Sequence, residues 1–219
     1  MKEKIENINL MLIVGTLFVL FSCTTNDSII LNEEKITLIN REFDSINSPE
    51  SNIISLDRQN SSGLAVLEGI EFSTGSIEVS LLGENLQGKS FVGIAFNIQN
   101  DSTYEAVYFR AFNFKSDEKI RREHSMQYVF EPEFPWHKLR KKHEGKFEAE
   151  FINPPDPDDW FTIIIKIRPQ KIEVYDKRTN LTLMVVDRLT ETKSNKIGFW
   201  TGYGSKGSFK NLKINKSEN

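Results

Sequence analysis

Cysteine is nearly absent: the 219 residues hold one, Cys23, so no internal disulfide can staple the chain. A basic surplus is also missing, since 28 Lys and Arg stand against 31 Asp and Glu for a formal net charge of −3. That excludes a protein held to nucleic acid by bulk electrostatics, and no nucleic-acid partner is expected. Only three histidines occur, and they lack metal-ligand spacing, which leaves no zinc site to read. No run reaches the eighteen apolar residues of a spanning helix, and no repeat or low-complexity linker divides the chain. The Gly-rich stretch at 202–207 has no helix after it and lacks the order of a phosphate loop. What is present is an ordinary globular composition, 38% hydrophobic and 11% aromatic, with 16 Phe to stock a core.

The first residues read as a targeting signal. Residues 1–9 are polar and carry Lys2 and Lys4, and residues 10–21 are almost wholly apolar. Twelve residues rise about 18 Å as a helix, short of a hydrocarbon core of about 30 Å, so a signal-peptide segment is the expectation. Leu20-Phe-Ser-Cys23 follows and resembles the bacterial lipobox, with an apolar residue three before the Cys and a small one just before it. Phe21 is bulkier than that pattern usually carries, and Glu3 and Glu6 dilute the positive start. The resemblance implies cleavage after residue 22 and acylation of Cys23. Several acyl chains there would anchor the protein stably, where one alone is marginal. The implied location is the bacterial cell envelope, with the outer membrane favoured over the inner because Thr24 is not Asp. The expected organisation is a signal peptide over 1–22, an acylated Cys and tether over 23–33, and one domain over 34–219.

From Glu34 onward, apolar residues recur mostly with period two, the strand signal. Ile77, Val79 and Leu81 share one face; so do Val92, Ile94, Phe96 and Ile98, and Phe161, Ile163, Ile165 and Ile167. Further strands are expected over 104–110, 171–175, 181–186, 196–200 and 208–214, with turn residues between. One segment, 135–143, reads as a short helix, with Pro early and Gly145 after. The expected fold class is all-β: an antiparallel jelly-roll β-sandwich with one short helical insertion.

Residues 69–214 hold an ordered set of blocks. These include Gly75-Ser-Ile-Glu-Val, Phe91-Val-Gly-Ile-Ala-Phe, Val107-Tyr-Phe-Arg-Ala-Phe-Asn-Phe114 and Gly198-Phe-Trp-Thr-Gly-Tyr-Gly-Ser205. The set resembles the concanavalin A-like lectin/glucanase superfamily. Within it, the likeness is to the laminin-G-like and 3-keto-disaccharide hydrolase-like group, domain of unknown function 1080. That implies a sandwich hosting binders and hydrolases alike. Family 16 glucanases of this fold carry Glu-x-Asp-x-x-Glu on one strand, and retaining hydrolysis needs two carboxyls about 5–5.5 Å apart. No such motif is present: Glu68 and Glu71 are three apart, and Glu131 and Glu133 flank Pro132.

On the 104–110 strand, Tyr104, Ala106, Tyr108 and Arg110 share a face, with Val107 and Phe109 on the other as the better core candidates. A planar cation beside aromatic rings suits a sugar, whose C–H faces stack on rings while a guanidinium grips hydroxyls. It equally suits a structural Arg paired with a carboxylate, and residue type alone leaves both open. Asn113 and Gln127 would add hydrogen bonds, and Trp136 and Trp200 would stack on a ligand. His124 is a candidate acid or base in what reads as an insertion. His137 and His143, among Lys138, Arg140, Lys141 and Lys142, read as a solvated helix face, and Trp160 reads as core. Asp156, Asp158 and Asp159 form an acidic turn, a calcium candidate but more simply a turn former. The resulting expectation is a membrane-anchored carbohydrate-recognition domain with a glycan or small-sugar ligand. The alternatives are a 3-keto-disaccharide or other glycoside hydrolase, and a non-catalytic interaction domain.

Overall fold

A computed structural model describes residues 28–44 and 52–217. Cys23, the apolar run before it and the cleavage site lie outside the described residues. Among the described residues thirteen strands run in order: β1 (Ile36–Ile39), β2 (Ile53–Leu56), β3 (Gly63–Leu67), β4 (Gly75–Leu82), β5 (Phe91–Phe96), β6 (Tyr104–Arg110), β7 (Met126–Glu131), β8 (Glu148–Ala149), β9 (Phe161–Ile167), β10 (Lys171–Asp176), β11 (Thr182–Asp187), β12 (Ile197–Thr201) and β13 (Gly207–Lys216). They form two antiparallel sheets, one in the order β1-β3-β12-β5-β6-β7-β8 and the other β11-β10-β9-β4-β13-β2. This is a jelly-roll sandwich.

Period-two alternation builds the sheets. In β9, Phe161, Ile163, Ile165 and Ile167 are buried while Thr162, Ile164 and Lys166 are half-buried. The core lies between the sheets, where Phe199 of β12 stacks on Phe209 of β13 at 4.4 Å and Phe109 of β6 meets Phe161 of β9 at 5.2 Å. Ile77, Val79, Ile94, Phe96, Ile163, Ile165, Phe199 and Phe209 sit in this core and are at most 1% exposed.

Several expectations need correction. Among the described residues two short α-helices occur, not one: α1 (Lys119–Glu123) joins α2 (Trp136–Lys142). α1 buries no residue, so it shows no apolar stripe for a periodicity to find. Gln127 lies on β7 within the sheet rather than in an insertion. Trp160 precedes β9 and is only half-buried, with the Lys210 ammonium 4.0 Å from its ring centre. Residues 29–31, read as tether, are docked: the Ile29 amide donates to the Leu212 carbonyl and the Leu31 amide to Asn52 Oδ1. Among the described residues no helix is long and apolar enough to cross a membrane.

The fold leaves one sheet face with unusual contents. All seven residues of β6 are buried, so its outward face is covered as well as its inward one. The cover over the seven-stranded sheet includes α2, which packs on β7, and the loops near Gly88 and Tyr203.

Candidate functional site

Register sets the floor of the site. Trp200 of β12 pairs with Gly93 of β5, Gly93 with Tyr108 of β6, Tyr108 with Gln127 of β7, and Gln127 with Glu148 of β8. These five form one row across the sheet, and cross-strand partners share a face. Gly93 is the gap in that row. A Cβ there would lie 2.7 Å from Tyr108 Cβ and 2.2 Å from the Val107 carbonyl. Without it, the Trp200 and Tyr108 rings meet across β5, 4.7 Å apart and 28° from parallel. The Trp200 indole N–H donates to Tyr104 Oη at 3.0 Å, fixing the ring from behind. Phe91 sets its edge against Tyr108 at 6.2 Å and against Phe112 at 5.6 Å.

Above this floor is an open cavity of about 690 Å³. Tyr108, Arg110, Asn113, His124, Trp136 and Trp200, all singled out in the sequence, line it together. Tyr104 and Gln127 are not among the lining residues; they are buried and brace it from below. Gln127 Nε2 donates to the Tyr128 and Phe147 carbonyls, both at 3.1 Å, and burial pushes the Tyr104 hydroxyl up to about 12.

Arg110 is the hub of the floor, and its donors are engaged. Nη1 donates to the His124 carbonyl at 2.9 Å and to Glu148 Oε1 at 3.3 Å. Nη2 donates to Tyr108 Oη at 3.1 Å and to Gln127 Oε1 at 3.2 Å. The residue is 5% exposed. It therefore touches the cavity while its terminal N–H groups serve the protein, closer to the structural alternative than to a sugar clamp. Asn113 Nδ2 donates to the His124 carbonyl at 3.2 Å, which leaves its oxygen as the acceptor available to a ligand.

Residues missed from the sequence complete the site. Arg140 lies on α2 within the basic cluster read as solvated, and it lines the cavity. Its Nε donates to Glu148 Oε2 at 3.0 Å and its Nη2 to Glu148 Oε1, while its guanidinium sits 5.0 Å over the Trp136 ring. Glu148 is thus a buried carboxylate shared by Arg110 and Arg140, with His124 Nε2 3.6 Å away. Desolvation holds the His124 ring below the usual imidazole range, so it is neutral near pH 7. Glu131, at the end of β7, lines the cavity and has no hydrogen bond or ion pair among the described residues; burial pushes its carboxyl up. His137 also lines the cavity and is exposed, as its reading on a solvated helix face expects, and the exposed His143 rests edge-on against Phe147. Tyr203, 57% exposed, stands at the mouth on a loop whose base is held by Arg41, through Nη2 to the Thr201 and Gly202 carbonyls at 2.8 Å each.

The acidic turn makes local bonds: Asp158 Oδ1 accepts the Asn85 amide at 2.7 Å, and Asp156 pairs with Lys115 at 3.3 Å. No group of three or more His, Cys, Asp or Glu side chains among the described residues is placed to hold a metal ion.

No protein family model matches the chain, and no curated protein matches it. Solved structures do. A carbohydrate-binding module, CBM66, from Bacillus subtilis is similar over 83% of this chain and 96% of its own, with a TM-score of 0.56 and 9% identity. The potassium-bound carbohydrate-recognition domain of Emp46p is similar over 89% and 96%, with a TM-score of 0.54 and 13% identity. A native glycosidic hydrolase is similar over 85% and 92%, with a TM-score of 0.50 and 12% identity. At these identities the likeness is one of fold alone, a jelly-roll sandwich.

Proposed function

We propose that this protein is a glycan-binding jelly-roll domain held at a bacterial envelope membrane by lipid on Cys23. The observation that carries the binding reading is the cavity itself. Phe91, Tyr108, Trp136, Trp200 and Tyr203 line it, with polar side chains among them that include Arg140, Asn113 and Glu131. A largely apolar, preformed concavity with sparse polar groups is how a polyhydroxylated ring is stacked and oriented. Two of the similar structures are a carbohydrate-binding module and a carbohydrate-recognition domain, which supports the same reading. A glycan array probed with the full chain in detergent tests it. Retained binding of at least one oligosaccharide class is expected, and loss of that signal in Trp136→Ala. A blank array for wild type would end the reading.

A hydrolytic reading has one observation in its favour, the unpaired Glu131 carboxyl with its raised pKa, the profile of a general acid. Against it, Glu148 is neutralised by two guanidiniums and so is no free nucleophile or base. Glu131 lies four residues along β7 from Gln127, the partner of Glu148, or about 13 Å of strand, beyond the about 5–9.5 Å of paired glycosidase carboxyls. Incubation of array-positive sugars and a 3-keto-disaccharide with the protein should leave them intact. Cleavage abolished by Glu131→Gln would reverse the preference.

Anchoring rests on the lipobox resemblance. Cys23→Ala should abolish labelling by a fatty-acid probe, and equal label in the variant would sink it.

A further inference from the structure

Resting on the glycan-binding reading of this cavity, we infer that its ligand is an acidic sugar, a glycan bearing a uronate carboxylate, and that Arg140 is the residue that selects it. Three guanidiniums, Arg110, Arg121 and Arg140, line the cavity against one free carboxyl, Glu131, in a chain whose formal charge is −3. Two further carboxylates, Glu148 behind Arg110 and Arg140 and Glu118 beside Arg121, balance that count, so selection rests on which guanidinium keeps donors free and not on a net positive cavity. Arg110 is spent on the floor, and the Arg121 Nε is 3.0 Å from Glu118 in an exposed pair. Arg140 differs from both. Glu148 takes its Nε–H and one Nη2–H, the side-on fork of the guanidinium. The end-on fork, formed by Nη1 and the second Nη2–H, has no acceptor among the described residues. An arginine side chain one-third exposed, fixed on one edge by a buried carboxylate and stacked on Trp136, presents that open edge ready-made.

A planar fork of two parallel donors matches a carboxylate in two-point contact, and Trp136 beneath it offers a face for the sugar ring bearing that carboxylate. Glu131 lies towards the other end of β7, where a second carboxylate would be repelled and neutral hydroxyls accepted. One acidic group at the Arg140 end and hydroxyls at the Glu131 end is the pattern the charges define. Glu148 acts through Arg140 and is a positioning residue.

The test compares matched probes by calorimetry on the full chain in detergent. These are oligomers of galacturonate, glucuronate and mannuronate, each beside its carboxyl-reduced neutral counterpart. At least one acidic oligomer should bind tenfold or more tighter than its reduced form, and raised salt should narrow the gap. Arg140→Gln should erase the difference between the pair. Lys141→Gln removes the same charge from an exposed neighbour outside the cavity and should leave it intact. A melting curve on each variant separates misfolding from lost recognition. If the reduced oligomers bind as tightly as the acidic ones, or Arg140→Gln keeps the preference, the inference is overturned while the glycan reading stands. If neither form of any oligomer binds and a glycan array is also blank, both fall together.

Discussion

Strand β6 carries a buried charge near each end, and the two ends behave differently. Glu105 points inward, where its carboxylate accepts from Asn97 Nδ2 at 2.7 Å, from Arg188 through Nε at 3.1 Å and Nη2, and from the Tyr128 hydroxyl. One carboxylate meets one guanidinium and two neutral donors, and the set is sealed: Glu105 is not exposed at all. Five residues on, Arg110 points outward into a set with one more cation, because Glu148 faces both Arg110 and Arg140. The second guanidinium belongs to Arg140, which lines a cavity. Burial and ion pairing are common to both ends, so neither marks a functional site. What marks it is donor capacity left over after the protein's own acceptors are filled.

The sharpest way to break that contrast is Glu105→Gln. It leaves Arg188 buried without its countercharge and should cost about 3–5 kcal/mol in denaturant unfolding. Ligand affinity of the folded fraction should not change, and a loss there would mean that the sealed end communicates with the cavity. Arg110→Lys should come next. Four hydrogen bonds of the floor cannot be remade by an ammonium, so unfolding should be easier by roughly 1–3 kcal/mol. Affinity should fall with it, because Tyr108 and Gln127 lose their common anchor; a melting curve and a titration on one sample read both. Trp136→Ala inverts the pattern. With Trp136 45% exposed, stability should stay within about 0.5 kcal/mol while binding weakens around tenfold.

The smallest effect concerns Glu131. Burial raises its carboxyl's pKa in the folded state above the unfolded value. The folded protein then holds that proton more tightly, so stability from this group is full below the unfolded pKa and lost as pH rises through the folded one. Glu131→Gln removes the titration. The variant should match wild type in acid and exceed it slightly at neutral pH, and a variant that is less stable at neutral pH would mean the carboxylate has a partner there.

Much of this was open to reading in the chain. The strand pattern over β4, β5 and β9 is carried by residues whose inward face is apolar at every second position, and in β6 only Glu105 breaks it. The shared face of Tyr104, Tyr108 and Arg110 follows from that period. The residues before Gly69 were harder. In β3 all five residues, Gly63-Leu-Ala-Val-Leu67, are buried, so no alternation survives to announce a strand. β7 places Gln127 on the covered face of the sheet, where a buried amide mimics a solvated loop residue. Glu148 was illegible for a different reason. It lies on a two-residue strand and earns its role from Arg110, 38 positions away, and from Arg140 on a helix that local charge alone marks as solvated. Pairing at that distance leaves no local trace in composition or period.

The division of labour between floor and roof has an evolutionary consequence. Phe91, Tyr108 and Trp200 come from three strands scattered along the chain, and each is locked by sheet register. Trp136, His137 and Arg140 come from a single uninterrupted stretch between β7 and β8, residues 132–147. Such a segment can be exchanged as a cassette: replacing one loop with another changes the side chains over the floor while the scaffold beneath keeps its pairing. Diversification of this protein would then proceed by swapping sixteen contiguous positions, with Glu148 as the fixed socket into which any incoming guanidinium must plug.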